Sequence, residues 1–213
     1  MITFEQMLEG YRRFRANGWI NQRERWGALG EGQSPQVMVI ACSDSRVDPA
    51  QIFDTNPGEI FVVRNVAALV PPFETNPGRH GVSAALEFAV QILGVREILV
   101  MGHGLCGGCQ AALTQDLRGA PPGEGGFIAS WISLLDSARA DVVAVHGGDR
   151  SRVAARAMEQ AAVKVSLENL RSFPWVRDKE ARGALALKGA FFAISDGLLH
   201  LLDEETGRFA AYE

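Results

Sequence analysis

Apolar and polar residues follow one another along the chain in patterns that separate predicted strands from predicted helices. Largely apolar runs at Val37–Cys42, Ile60–Val63 and Glu97–Met101 are typical of strands buried on both faces of a parallel sheet. Between the last two runs, apolar residues recur at helical spacing over 82–93. The order strand, helix, strand predicts a βαβ crossover, because a parallel pair of strands needs a long connection.

The rest of the chain completes the predicted set of elements. Residues 3–15 have helical spacing, with Thr3 and Gln6 placed for a capping box, and Asn17–Gly18 is predicted to end that helix. Further helices are predicted over 127–140 and 150–173. Near the far end, the runs 185–194 and 198–202 flank a Ser-Asp-Gly turn and predict a β-hairpin. The pattern therefore indicates an α/β fold.

Length, composition and charge narrow the class of protein. At 213 residues the chain is expected to form a single domain over 1–213, and its 47% apolar and 22% charged residues are ordinary for a globular protein. A net charge of −4 argues against a nucleic-acid partner. The longest apolar stretches are too short to span a membrane. Three cysteines and an acidic N-terminus unlike a signal peptide predict reduced thiols and a cytoplasmic location.

Two of the predicted strands end in residues that bind metals. The first strand ends at Cys42, and the strand over 97–101 is followed by His103 and Cys106. Binding sites in open α/β sheets form at the carboxyl ends of the strands, so these three side chains are expected to converge. Two thiolates and an imidazole with a free fourth position are typical of catalytic zinc. The alternative is two buried cysteines and a turn histidine without a metal.

The segment that contains His103 and Cys106 also matches two other functional patterns. Glycines spaced as in a dinucleotide-binding loop begin at Gly102, but they follow the third strand rather than the first. Cys106 and Cys109 form a CxxC pair, which favours thiol redox chemistry, yet that interpretation leaves Cys42 unexplained. Cys109 is predicted instead to act as a small apolar residue on the inner face of the following helix.

A possible ion pair follows the first cysteine directly. Asp44 and Arg46 lie two residues apart, and such side chains share a face in extended backbone. Bidentate pairing would hold Asp44 ionised, so that its carboxylate only accepts hydrogen bonds. Beside a metal, it could then orient a hydroxide towards the substrate. The alternative is a solvated loop ion pair of little energetic weight.

Three segments of the chain occur together in a combination that is specific to one family: Cys42-Ser-Asp-Ser-Arg46, Pro57-Gly-Glu-Ile-Phe-Val-Val-Arg-Asn65 and His103-x-x-Cys106-Gly-Gly108. In this combination the chain resembles the β-class carbonic anhydrases, over nearly its whole length. The resemblance implies one zinc ion per chain on Cys42, His103 and Cys106, with Asp44 and Arg46 as the catalytic dyad. It also implies a mainly parallel sheet of four to five strands flanked by helices. A homodimer or higher multiple is implied as well, with the N-terminal helix packing on a partner subunit.

The resemblance is strongest to the plant-type branch of that family, and it implies a substrate pocket. Gln33 corresponds to a glutamine that reaches the substrate, Phe61 and Val66 correspond to the apolar wall, and the Gly107 amide corresponds to an anion donor. A tyrosine common in that pocket is Phe88 here. Phenylalanine has no hydroxyl group, so no contact through a hydroxyl group is expected at this position.

The implied activity is the reversible hydration of carbon dioxide to bicarbonate and a proton, by attack of zinc-bound hydroxide. One alternative keeps the fold and the zinc but hydrolyses carbonyl sulfide or carbon disulfide. Another is a non-catalytic zinc-binding regulatory protein. Measuring the hydration rate against metal content distinguishes the non-catalytic protein from the enzyme. Competition between substrates distinguishes hydration of carbon dioxide from hydrolysis of the sulfur compounds.

A further expectation concerns regulation. One branch of the family has a tryptophan three residues before its first ligand cysteine, which helps to form a non-catalytic bicarbonate pocket. Val39 stands at the matching position here and has no ring or N–H donor. Arg64, another residue of that pocket, is therefore predicted to have a structural pairing role. An open site is predicted, with Asp44 paired to Arg46.

Overall fold

The computed structural model describes residues 2–148 and 150–212, in two compact units that divide between Ser34 and Pro35. The first unit contains helix α1 (Phe4–Arg13), a π-helical turn (Phe14–Trp19) and helix α2 (Arg23–Glu31). Thr3 accepts a hydrogen bond from the Gln6 N–H, and the Gln6 side chain accepts one from the Thr3 N–H. The predicted capping box is therefore confirmed.

The predicted end of the first helix at Asn17–Gly18 is wrong, because helical backbone continues through the π-helical turn to Trp19. Gly18 does not have the left-handed backbone of a helix-ending glycine. A Cβ at Gly18 would lie 3.0 Å from the Phe14 ring. The Asn17 amide donates to the Arg13 carbonyl at 3.3 Å, which offsets the low helix propensity of asparagine.

A single sheet forms the centre of the described part of the second unit. Its strands are β1 (Val37–Cys42), β2 (Ile60–Asn65), β3 (Glu97–His103), β4 (Ala186–Ala193), β5 (Leu198–Asp203) and β6 (Arg208–Ala211). Their order across the sheet is β2-β1-β3-β4-β5-β6. The first four strands run parallel, and β5 and β6 are antiparallel. The α/β class, the mainly parallel sheet and the β4–β5 hairpin are confirmed.

The expected sheet size of four to five strands is wrong, since a sixth strand, β6, pairs with β5 at the edge. A tight turn returns the chain after β5: the Asp203 carboxylate accepts hydrogen bonds from the Glu205 and Thr206 N–H groups. Gly207 then adopts a left-handed conformation with φ of +66°, which glycine adopts without strain. Four residues are too few to show a strand period.

Helices connect the parallel strands of the sheet. They are α3 (Pro49–Ile52), α4 (Gly81–Glu87), α5 (Gly107–Thr114), α6 (Gly126–Ile132), α7 (Asp136–His146), α8 (Arg152–Ser172) and α9 (Pro174–Ala181). The helix predicted over 82–93 is α4 extended by a π-helical turn, Phe88–Leu93. The helix predicted over 127–140 is divided into α6 and α7 by a 3₁₀ turn, Ser133–Leu135, at whose start Ser133 Oγ donates to the Ser130 carbonyl at 2.7 Å.

The continuous apolar run of β1 is explained by its central place in the sheet. Met38 and Ile40 are buried in a cluster that includes Leu167 of α8, whereas Val39 and Ala41 are buried in a separate cluster. Since side chains alternate between the faces of a strand, β1 is apolar throughout. Among the described helices, none is both long and apolar enough to cross a membrane.

We expect Gly102→Ala to reduce the free energy of unfolding by about 1–3 kcal/mol, the usual cost of overpacking a core. A Cβ at Gly102 would lie 2.6 Å from Val163 Cγ2 and 3.4 Å from the Glu159 carbonyl oxygen, and Val163 is itself 1% exposed. Gly81→Ala is the matched control, because a Cβ there meets nothing within 4 Å. Urea unfolding of both variants at one protein concentration makes the comparison. Equal midpoints for Gly102→Ala and the unmodified protein would contradict the close contact.

Candidate metal centre and active site

The sheet brings the three predicted metal ligands together. Strands β1 and β3 are parallel neighbours, so Cys42 and His103, which end them, lie at the same edge of the sheet. Cys106 stands at the cap position of α5, a short loop after His103. The ligand atoms of the three residues all lie within 4.8 Å of one another, and the Cys42 and Cys106 Sγ atoms are 4.0 Å apart. The group can therefore hold a metal ion.

The hydrogen bonding of His103 suits metal binding. This side chain is 1% exposed, and its Nδ1 lies 2.9 Å from the Gly104 carbonyl oxygen. A carbonyl oxygen can only accept, so Nδ1 carries the proton and Nε2 is left with its lone pair. His103 Nε2 is shielded from solvent and has no partner among the described residues. A metal ion at the cluster would satisfy this orphaned acceptor.

The buried surroundings of the two thiols also favour the binding of a cation. Contact with the Cys106 thiol and burial raise the pKa of Cys42 to about 12. Contact with the Cys109 thiol, together with burial, raises the pKa of Cys106 to about 12. Without a positive charge the two thiols therefore stay protonated at neutral pH. Soft thiolate and imidazole donors fit zinc, which would stabilise their deprotonated forms.

Asp44 and Arg46 form the predicted bidentate pair. Arg46 Nε donates to Asp44 Oδ1 at 2.8 Å, and Nη2 donates to Oδ2 at 2.7 Å. The same Nη2 donates to the Leu105 carbonyl at 3.0 Å, which ties the pair to the loop between His103 and Cys106. The hydrogen bonds from Arg46 hold the pKa of Asp44 well below its usual range, so the carboxylate is ionised at neutral pH.

Arg64 has the structural pairing role that the sequence predicted. From β2, its guanidinium donates to the Cys42 carbonyl at 2.9 Å, the Asp44 carbonyl at 2.6 Å and the Asp48 carboxylate at 3.0 Å. Asp48 in turn caps α3 by accepting from the Ala50 N–H. These contacts fix the backbone that carries both the first cysteine and the dyad.

A buried carboxylate behind Cys106 was not predicted. Glu159 on α8 is 5% exposed and accepts a hydrogen bond from the Cys106 N–H at 3.2 Å. Burial raises the pKa of this group. Glu159 and Ser166 are seven residues apart, two turns along one helix face, and both are buried. Two polar residues on the apolar face of a helical pattern were the signal in the sequence that could have identified them.

Ser166 supports a second backbone segment beside the cluster. Its Oγ donates to the Ala68 carbonyl at 3.1 Å and accepts from the Val70 N–H at 3.2 Å. Ala67 and Ala68 both have positive φ, +63° and +56°, which costs energy in residues other than glycine. The hydrogen bonds of Ser166 therefore hold a strained turn after β2.

The residues assigned to the substrate pocket do not all lie at the cluster. Val66 is 39% exposed and touches the α5 start, because a Cβ at Gly108 would lie 2.7 Å from Val66 Cγ1. Gly107 opens α5, so its N–H belongs to the helix terminus, which has no intrahelical acceptors.

Phe61 lies away from the cluster. Phe61 pairs with Met38 rather than with Cys42, about 13 Å back along the strand, and its ring stacks against Phe88 at 6.0 Å. Gln33 follows α2 in the first unit, where its side chain is exposed. The roles of both residues at a substrate pocket stay predictions.

Packing explains the glycines and Cys109 in the segment that contains His103 and Cys106. Gly102 makes room for Val163, and Gly108 makes room for Val66, so close contacts account for two of the glycines after β3. Cys109 is 3% exposed and lies in an apolar cluster with Leu113 and Leu135. This burial confirms the prediction that Cys109 lies on the inner face of α5.

Comparison with known proteins defines the family. A family model described as carbonic anhydrase matches residues 37–199, a range that includes the cluster and the dyad. The chain is 35% identical, over 91% of its length, to β-carbonic anhydrase 5, chloroplastic, of Arabidopsis thaliana. This chain belongs to the β-carbonic anhydrase family. It spans 63% of the length of the Arabidopsis relative.

Solved structures support the fold. The β-carbonic anhydrase CcaA superposes with a TM-score of 0.89 at 28% identity, covering 98% of this chain and 92% of that one. A structure from a study of two tetrameric β-carbonic anhydrases of the filamentous ascomycete Sordaria macrospora has a TM-score of 0.77 at 27% identity. It covers 93% of this chain and 96% of that one.

Proposed function

We propose that this protein catalyses the reversible hydration of carbon dioxide to bicarbonate and a proton, with one zinc ion per chain. The observation that carries the proposal is the buried Cys42, His103 and Cys106 cluster, set beside an ionised carboxylate in a chain of the β-carbonic anhydrase family. Three protein ligands leave a fourth position for a reactant, as catalytic zinc sites require.

Cys42, His103 Nε2 and Cys106 would hold the zinc ion. Its Lewis acidity lowers the pKa of water towards neutrality, an effect known from the carbonic anhydrases that bind zinc through three histidines. Hydrogen bonds within the chain orient the three ligand residues. The Gly104 carbonyl orients the His103 ring, Arg64 fixes the Cys42 carbonyl, and Glu159 fixes the Cys106 N–H.

The dyad would orient the nucleophile. Arg46 donates twice to Asp44 Oδ1, from Nε and from its backbone N–H, and once to Oδ2. The remaining lone pair of Oδ2 can therefore accept a hydrogen bond from a reacting hydroxyl group. An ionised carboxylate cannot donate a hydrogen bond, so accepting one from the hydroxyl group directs the hydroxyl lone pair towards the substrate carbon. Arg46 also keeps Asp44 from moving to the metal ligands, since it is anchored to the Leu105 carbonyl.

The surrounding residues suit a small apolar substrate and an anionic product. Carbon dioxide offers few polar contacts, so an apolar wall such as Val66 binds it chiefly by excluding water. The Gly107 N–H at the start of α5 is placed to donate to bicarbonate, because helix N-termini favour anions. Gln33 is proposed as a further polar contact to the substrate.

We propose a homodimer or a higher multiple as the working assembly, in the cytoplasm. Phe4, Met7, Leu8 and Tyr11 of α1 are between 41% and 74% exposed, a contiguous apolar stripe that is costly to leave in water. The tetrameric relatives from Sordaria macrospora support assembly. Three free cysteines suit a reducing compartment.

Substituting single cysteines distinguishes a thiol that binds the metal from a neighbouring thiol that does not. In Cys106→Ser we expect most of the bound zinc to be lost, because a serine hydroxyl is a hard and weakly acidic donor. Cys109→Ser, three residues further on, should keep one zinc per chain. Elemental analysis of both purified variants measures the difference, with circular dichroism as a check on folding. Full zinc occupancy in both variants would refute the ligand assignment.

Arg46→Ala should reduce the hydration rate by at least about 100-fold, the usual weight of a positioned acid–base group, while zinc is retained. Without its partner, the Asp44 carboxylate is free to move onto the metal. Arg96→Ala serves as the control, since it removes an exposed arginine at the opposite end of β3. Stopped-flow hydration, expressed per bound zinc, gives the result. An unchanged rate in fully metallated Arg46→Ala would show that the dyad has no role.

Polar substitution of the α1 stripe should weaken assembly. Met7→Gln with Tyr11→Gln removes two exposed apolar side chains, each worth about 1.5–3 kcal/mol when buried in an interface. We expect a smaller mass by light scattering after size exclusion at low protein concentration. Glu9→Gln, at another exposed position of α1, should keep the mass of the unmodified protein. The same mass for all three proteins would contradict packing of α1 on a partner.

A further inference from the structure

A second cavity lies at the carboxyl ends of β3 and β4, beside the first turns of α8. Its volume is about 140 Å³, and its lining includes Gly104, Leu105, Arg150, Arg152, Arg156 and Glu159. None of the three metal-ligand side chains lines it. The carboxyl ends of parallel strands are where open α/β sheets place their binding sites. The position therefore suits a bound molecule that does not occupy the metal centre.

The lining is strongly cationic. Three arginines face one glutamate in this cavity, so the lining residues have a formal charge of +2. Arg150 is paired with Asp116. Within residues 2–148 and 150–212, Arg152 and Arg156 make no ion pair. Two guanidinium groups are thus available to a ligand.

The arrangement of these groups is held by the fold. The Arg156 guanidinium lies 4.7 Å from the centre of the Phe191 ring, a cation–π contact that restricts its position. Ser151 caps α8 by accepting from the Ala154 N–H, so the positive end of this 21-residue helix adds to the charge of the arginines that follow it.

The one carboxylate of the cavity is already in use. Glu159 accepts the hydrogen bond from the Cys106 N–H, in the loop that carries this metal ligand. With a single negative charge, Glu159 cannot neutralise both Arg152 and Arg156. A lining with two arginines left over and a net positive charge is the composition that recognises anionic oxygen atoms, because guanidinium groups match them with paired N–H donors.

We propose that this cavity is a binding site for a small dianionic oxyanion, the phosphate group in particular. Its volume is below the range of about 300–1,000 Å³ usual for ligand pockets, which excludes a whole nucleotide or a peptide. A dianion offers one negative charge to each of the two arginines that make no ion pair among the described residues, Arg152 and Arg156, whereas a monoanion such as bicarbonate does not. The inference does not rest on the proposed catalytic function, since it uses none of the metal ligands or the dyad.

Calorimetric titration of the zinc-loaded protein with inorganic phosphate, at pH 8 and constant low ionic strength, tests the proposal. We expect saturable binding at one site per chain. Arg152→Gln and Arg156→Gln should each raise Kd by about tenfold, the loss of one charge-assisted hydrogen bond. Arg208→Gln, an exposed arginine on β6, removes the same charge outside the cavity and should change Kd by less than about twofold.

Three comparisons complete the experiment. Sulfate should bind like phosphate, and bicarbonate should bind more weakly. A phosphomonoester that binds as tightly as phosphate would identify the source as a phosphorylated metabolite, whereas a much weaker one would identify the free ion. An unchanged Kd in both cavity variants, the pattern expected for phosphate at the metal, would overturn the proposal. So would equal losses in Arg208→Gln, tighter binding of bicarbonate than of phosphate, or no saturable binding.

Discussion

The structure depends on the cost of placing two thiols and an imidazole together in a buried cluster. Cys42, His103 and Cys106 are 6%, 1% and 2% exposed, and both thiols have a pKa raised to about 12. Such a cluster is unfavourable for ionised thiols unless a cation neutralises them. A metal ion would reverse this penalty and link metal binding to stability. The neighbouring contacts act on the backbone that carries these three residues.

Those contacts come from separate parts of the chain and converge on two loops. Arg64 of β2 holds the loop that begins at Cys42 through two carbonyl oxygens. Glu159 of α8 holds the other loop through the Cys106 N–H. Arg46 then joins the two loops, since it binds Asp44 in the first and the Leu105 carbonyl in the second. The ligands and the dyad are therefore positioned as one unit.

Local pattern was sufficient to predict the parts of this arrangement that are continuous in sequence. The β1 run was recognisable because five of its six residues, Met38 to Cys42, are buried on one face or the other. Cys42 and His103 could be placed together because parallel strands share a carboxyl edge. The spacing of Asp44 and Arg46 allowed an ion pair between them to be predicted. The family resemblance added the pocket residues, among them Gly107, but not their positions relative to the cluster.

What the sequence did not reveal arises from contacts between distant residues. Glu159 meets Cys106 across 53 positions, and no local pattern encodes that distance. The split between α6 and α7 occurs at a short 3₁₀ turn, Ser133–Leu135, which helical spacing does not distinguish from a continuous helix. The cationic cavity combines the β3–α5 loop, α8 and the end of β4, so its charge emerges only when the fold brings Arg152 and Arg156 beside the loop.

The most direct test of the account is to titrate metal-free protein with zinc and to follow carbon dioxide hydration by stopped flow. If Cys42, His103 and Cys106 form the catalytic metal centre, the hydration rate should rise in proportion to added zinc and stop rising at one zinc per chain. A protein that binds one zinc per chain through these residues and still fails to accelerate hydration would contradict the account.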